Sequence, residues 1–103
     1  MKGIGNLQKM LKQAKDMQEN FQRELAGMKI EGSSGGGMVV VTVDGTKNLL
    51  SITIDPEVVD KEEVEMLQDL ITAAFNDAST KVDEHVSQKL GAMGAGFKIP
   101  GLF

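Results

Sequence analysis

Apolar residues recur every three or four positions through the first quarter of the chain. Ile4, Leu7, Leu11, Ala14, Phe21, Leu25 and Met28 step by three and four, or by seven where Gln18 interrupts. At about 100° per residue they fall, with Met10 and Met17, inside an arc of about 140°. The spacing predicts one long amphipathic helix over residues 3–28, about 39 Å long if unbroken. Nearly four heptads fit, with Gln18 as the polar residue in the seam. Gly27 and Gly32 mark where it ends.

The period then changes. Residues 32–37, Gly-Ser-Ser-Gly-Gly-Gly, read as a flexible connecting loop. Met38 to Val43 is β-branched and too short for a helix, so it reads as a strand. Asp44-Gly45 is a hairpin signal, and Leu49 to Ile54 supplies the return strand. A loop of two or four residues puts Val39, Val41, Leu50, Ile52 and Ile54 on one face. Met38, Val40 and Leu49 then share the other face with Thr42, Ser51 and Thr53. Met28-Lys29-Ile30-Glu31 alternates and offers a third, edge strand.

A second helix is expected from Asp60, the N-cap, with Glu63 at N3 in an Asp variant of the capping box. Its apolar stripe runs Val64, Leu67, Leu70, Ile71, Ala74, Phe75, Ala78 and Val82. Lys89 suits its last turn and Gly91 its C′ position. The expected organisation is a single α-β-β-(β)-α domain over 1–90 and a Gly-rich tail over 91–103. The tail carries Phe97, Ile99, Leu102 and Phe103, so it is either mobile or docked on an apolar patch. Two helices with an antiparallel sheet of two to three strands make an α+β fold. The partly apolar second face and a helix longer than the sheet call for a further cover. A symmetric homodimer supplies one, because one patch can bury itself. The alternative is two helices packed on each other over a small sheet.

Composition narrows the chemistry. A chain of 103 residues holds one core, and it has no Cys, Trp or Tyr and a single His. Disulfides, thiolate nucleophiles and Cys-based zinc sites are excluded. The acids from Asp55 to Glu65 lack His partners and follow helix-start logic, so no metal site is expected. His85 falls on or beside the second helix's apolar stripe, where a core or interface position is expected. The Gly-rich loop lacks the Lys-Ser/Thr of a phosphate loop, and the Gly-rich tail follows a helix instead of opening one. No catalytic residue, cofactor or small-molecule substrate is expected. No apolar leader or membrane-spanning stretch is visible, so the cytoplasm is the expected compartment.

The net charge of −4 points away from nucleic acid, but it is unevenly spread. Residues 1–54 carry seven basic and five acidic residues, and residues 55–103 carry four and ten. Lys2, Lys9, Lys12 and Lys15 stand in the first fifteen positions with no acid among them. They share an arc of about 140° opposite the apolar stripe, and Arg23 falls within it. By itself such a stripe reads as a solvated helix face, as a match for phosphates, or as a membrane-surface helix short of apolar bulk. With four Phe and no Trp or Tyr, the chain lacks a base-stacking platform.

The ordered series of motifs resembles the bacterial YbaB/EbfC nucleoid-associated protein family over most of the chain. It begins with Leu7-Gln8-Lys9-Met10-Leu11-Lys12-Gln13-Ala14 and the Gly-rich turn before Val39-Val40-Val41. It continues through Asp44-Gly45, Ile54-Asp55-Pro56, Glu65 to Ile71, Ala73 to Ala78 and Pro100-Gly101. The resemblance implies a small cytoplasmic homodimer that binds double-stranded DNA, alters its conformation and associates with the nucleoid, without enzymatic activity. It turns the lysine stripe toward phosphate. Lys2, Lys9, Lys12 and Lys15 become the expected DNA contacts, with Arg23, Lys81, Lys89 and Lys98 as secondary candidates. The alternative is a protein-interaction adaptor that uses the helix seam or the apolar tail.

Overall fold

The computed structural model describes residues 2–92, with side chains from residue 5 onward. Helix α1 spans Lys2–Ala26. Strands β1 (Ile30–Ser34), β2 (Val39–Val43) and β3 (Leu49–Ile54) follow, and helix α2 spans Val64–Ala92. The strands form one antiparallel sheet in the order β1-β2-β3. The α+β architecture is as expected, and the third strand is present. The tail from residue 93 onward, with Phe97, Ile99, Leu102 and Phe103, lies outside the described residues.

Gly32, Ser33 and Ser34 belong to β1, which corrects the expected loop over 32–37. Propensity disfavours a strand there, but tertiary packing decides. Helix α2 crosses β1 so closely that a Cβ on Gly32 would lie 2.2 Å from the Ala78 amide nitrogen and 2.3 Å from the Ala74 carbonyl oxygen. A glycine lets the two backbones approach. The true turn is Gly35–Gly37, where φ is +61°, +69° and +93°, values that a Cβ penalises.

Strand β2 is the centre of the core. Val39, Val41 and Val43 alternate inward and are fully buried, each worth about 1.5–3 kcal/mol of burial. Ile30 flanks them in β1, and Ala74, Ala78 and Val82 cover them from α2. The hairpin connection runs from Asp44 to Asn48, longer than expected, and β3 carries a bulge. Val39 pairs with Ile54, Val41 with Ile52, and Val43 with Leu49. Leu50 is the extra residue, and it borders the opposite face with Thr42 and Ser51. The expected faces of Leu49 and Leu50 are therefore exchanged, because one inserted residue reverses the alternation.

Helix α2 begins at Val64, not at Asp60. Asp60 caps a separate turn: its Oδ1 accepts from the Glu62 amide and its carbonyl from the Glu63 amide, both at 2.9 Å. The Glu63 carbonyl then accepts from the Leu67 amide at 3.2 Å and opens the helix. The expected capping box is not formed. At its other end α2 continues through Gly91 to Ala92, so Gly91 is not a C′ residue.

Helix α2 lies over β1 and β2 and leaves β3 uncovered. Ile52 faces inward yet is 41% exposed. The two helices do not pack along one another. The molecule measures 73 × 22 × 18 Å. Helix α2 accounts for about 43 Å of that length, so α1 must extend beyond it as an arm.

Candidate nucleic-acid interface

The arm α1 carries the lysine stripe. Lys9, Lys12 and Lys15 follow one another at i,i+3 along about 9 Å of helix axis, and all three are exposed. Arg23 is exposed on the same side. None of the four has an ion-pair partner among the described residues. The opposite side is apolar and bare: Leu7, Met10 and Leu11 are 56%, 64% and 62% exposed. Lys2 lies within α1.

Only the last turn of the arm is held. Leu25 is buried, and its carbonyl accepts a hydrogen bond from the Gly45 amide at 2.8 Å. A Cβ on Gly45 would come within 2.7 Å of that carbonyl oxygen, so the hairpin tip meets the arm backbone to backbone. Beside it, Asp44 organises the tip. Its Oδ1 accepts from the Thr46 hydroxyl at 2.6 Å, the Thr46 amide at 2.8 Å and the Asn48 amide at 3.0 Å. Its Oδ2 accepts from the Asn48 side-chain amide at 3.2 Å. The Thr46 hydroxyl bond, and next the Asn48 backbone bond, hold this carboxyl below its ordinary 3.8. Glu24 adds an ion pair to Lys89 of α2. Sequence reasoning read Asp44-Gly45 as a hairpin and missed its second task of fixing the arm. No local pattern signals that contact, because Leu25 is remote in sequence.

The secondary candidates are placed differently. Lys81 donates to the Glu31 carbonyl at 3.1 Å and pairs with Asp77 at 3.2 Å. Asp77 also accepts from the Ser33 amide at 3.0 Å, and that bond first, then Lys81, lowers its carboxyl below 3.8. Together the two side chains cap the outer edge of β1. Lys89 is engaged by Glu24. Both lysines are thus engaged within the fold, Lys81 at the β1 edge and Lys89 at the base of the arm. Lys98 lies outside the described residues. His85 is exposed on α2, which sets aside a core position and leaves the interface alternative standing.

The charges separate along the long axis. The acidic segment from Asp55 to Glu65 precedes and opens α2, while the arm joins the molecule near Lys89 at the far end of α2. The lysines of α1 and this acidic segment thus occupy opposite ends. No group of acids and histidine suited to a metal ion occurs among the described residues. No helix among them is long and apolar enough to cross a membrane.

Comparison with known proteins places the chain. The model of the YbaB/EbfC DNA-binding family matches residues 2–97. A nucleoid-associated protein of Bacillus licheniformis is 51% identical over 104 residues, covering 98% of this chain and 97% of that protein. Nucleoid-associated protein TTE0040 of Caldanaerobacter subterraneus subsp. tengcongensis is 48% identical over 101 residues, covering 95% and 91%. The crystal structure of the uncharacterized protein HP0035 from Helicobacter pylori superposes with a TM-score of 0.72 at 26% identity, covering 84% of this chain and 91% of that one.

Proposed function

Because the chain belongs to the YbaB/EbfC DNA-binding family, we propose that it is a nucleoid-associated homodimer that grips double-stranded DNA through the phosphate backbone and alters its conformation. One observation carries the backbone reading. Lys9, Lys12 and Lys15 project from a bare helix, exposed and without ionic partners among the described residues, while Lys81 and Lys89 are already engaged. Ammonium groups spaced this way match phosphates without reading bases. Any preference among sites then comes from the shape and deformability of the duplex. Such a protein acts in the cytoplasm at the nucleoid, with a role in gene regulation and nucleoid organisation, and its reading needs no catalytic group.

The dimer draws its support from β3. The β1 edge is capped by Asp77 and Lys81, whereas α2 leaves β3 uncovered. Leu49 and Ile52, on the inward face of β3, are 49% and 41% exposed there. A two-fold contact through β3 buries these side chains against their own copies and leaves both arms free.

Salt-titrated mobility shifts test the backbone reading. If about six lysines of a dimer meet phosphate, log K falls against log salt with a slope of roughly −5. Changing Lys2, Lys9, Lys12 and Lys15 together to Gln should flatten that slope and weaken binding on every sequence. A slope near zero in the wild type, or unchanged affinity in the variant, rejects it.

A further inference from the structure

We infer that Asp77 and Lys81 of α2 stand in for one residue of a fourth strand on the outer edge of β1, and so close that edge to a second copy of the chain. In an antiparallel pair, alternate residues turn both backbone groups toward the neighbouring strand, and the residues between turn theirs away. Strand β1 pairs with β2 from Ile30 to Ser34, and Glu31 and Ser33 are the residues that turn outward. A parallel strand added there would offer an amide to the Glu31 carbonyl and, from the same residue, a carbonyl to the Ser33 amide. In its place the Lys81 ammonium group donates to the Glu31 carbonyl at 3.1 Å, and the Asp77 Oδ2 accepts from the Ser33 amide at 3.0 Å. That Oδ2 lies 3.2 Å from the Lys81 Nζ, so donor and acceptor are held together like those of a single residue. Their i,i+4 spacing sets both side chains on one face of α2.

The edge needs such a guard. An open strand edge presents unpaired backbone groups to other chains, and proline, charge or a bulge is the common defence. Strand β1, Ile-Glu-Gly-Ser-Ser, has no proline and one charge, and the register shift lies on the other side of the sheet, between β2 and β3. Directly behind β1 runs Val39 to Val43, five β-branched residues without a charge, the composition of aggregating strands. The opposite edge, β3, is the one that α2 leaves uncovered. With one edge open and one closed, strand pairing joins two copies and stops. With both open, it continues from copy to copy. The stop at two copies rests on the β3 dimer proposed above; the closure of β1 does not.

Amide hydrogen exchange on the full chain reads the closure directly. A charge-assisted bond should slow the Ser33 amide by about tenfold or more relative to an open edge amide. Asp77→Ala should abolish that protection, and Asp77→Asn, which keeps an acceptor oxygen, should retain part of it. The β2 amides should keep their rates in both variants and so report an intact fold. Sedimentation velocity then reads the consequence. With Asp77→Ala and Lys81→Ala together, mass should climb with protein concentration past that of the wild type, which should hold to a fixed size. Alanine favours helix, so α2 is retained in this variant. Should the double variant fail to fold, exchange in the wild type still decides. A wild-type Ser33 amide that exchanges as fast as an unstructured one overturns the inference. So does a folded double variant whose mass matches the wild type at every concentration. A wild type that stays monomeric while the double variant associates rejects the β3 dimer and upholds the closed edge. A wild-type dimer whose mass the double variant does not exceed rejects the closed edge alone.

Discussion

The two helices of this chain are both long and amphipathic, yet they serve opposite ends. Helix α2 uses small residues, Ala74 and Ala78, to press its backbone against Gly32 of β1. Helix α1 has the cleaner separation of faces, but among its described side chains only Leu25 is buried. Amphipathicity announces that a face wants a partner; it does not say whether that partner lies in the same chain. Close packing within the protomer is marked by small residues, which let backbones approach. Leu and Met on an arm with nothing beneath them point outward to another molecule.

Substitutions can sharpen or break that contrast. Gly32→Ala should do the most damage, because its Cβ meets backbone atoms of α2 that cannot yield without moving the helix. A loss of about 3 kcal/mol in urea unfolding is expected, where Leu11→Ala on the arm should cost less than about 0.5 kcal/mol in dilute solution. Equal costs at the two positions would erase the distinction between the helices. Gly45→Ala should cost about 1–2 kcal/mol through its clash with Leu25. Its signature is faster hydrogen exchange in the last turns of α1 with α2 unchanged.

Acid should act on the same anchor. The folded pKa of Asp44 lies below its ordinary 3.8, so its contribution is fully present above that value and is lost as pH falls through the folded pKa. Asp44→Asn should flatten the acid limb of stability in urea titrations at successive pH values. Part of the slope should remain, because Asp77 is lowered in the same direction. A smaller effect than that of either glycine belongs to Lys89→Gln, which removes a partly exposed ion pair to Glu24 and should cost less than about 1 kcal/mol. A larger loss would mean that the arm is tied to α2 more firmly than its contacts indicate.

Much of this was legible in the sequence because it rests on local period. The α1 stripe, the alternation of β2 and the turn residues after Val43 depend on neighbours only. The lysine face of α1 was legible for the same reason. What was not legible depends on distant chain. Gly32 reads as loop until Ala74 and Ala78 lie across it. The bulge at Leu50 follows from the length of the Asp44–Asn48 connection, which Asp44-Gly45 alone does not set. Asp60 looks like the cap of α2, but nothing local reveals that its turn closes before the helix begins. Lys81 resembled the arm lysines in composition and differs in use, because Glu31, which it meets, is fifty residues away.

The anchor at Leu25 and Gly45 makes the arm a lever. Lys9 stands sixteen residues from Leu25, which is about 24 Å of helix. A tilt of about 10° at the fulcrum would carry its ammonium group by about 4 Å, which amounts to two charges' spacing along duplex DNA at about 1.7 Å each. Small adjustments at the hairpin tip are thereby geared up into changes of reach. In the proposed dimer, the span between paired arms would be set by a few atoms at Leu25 and Gly45, remote from Lys9 at the other end of the lever.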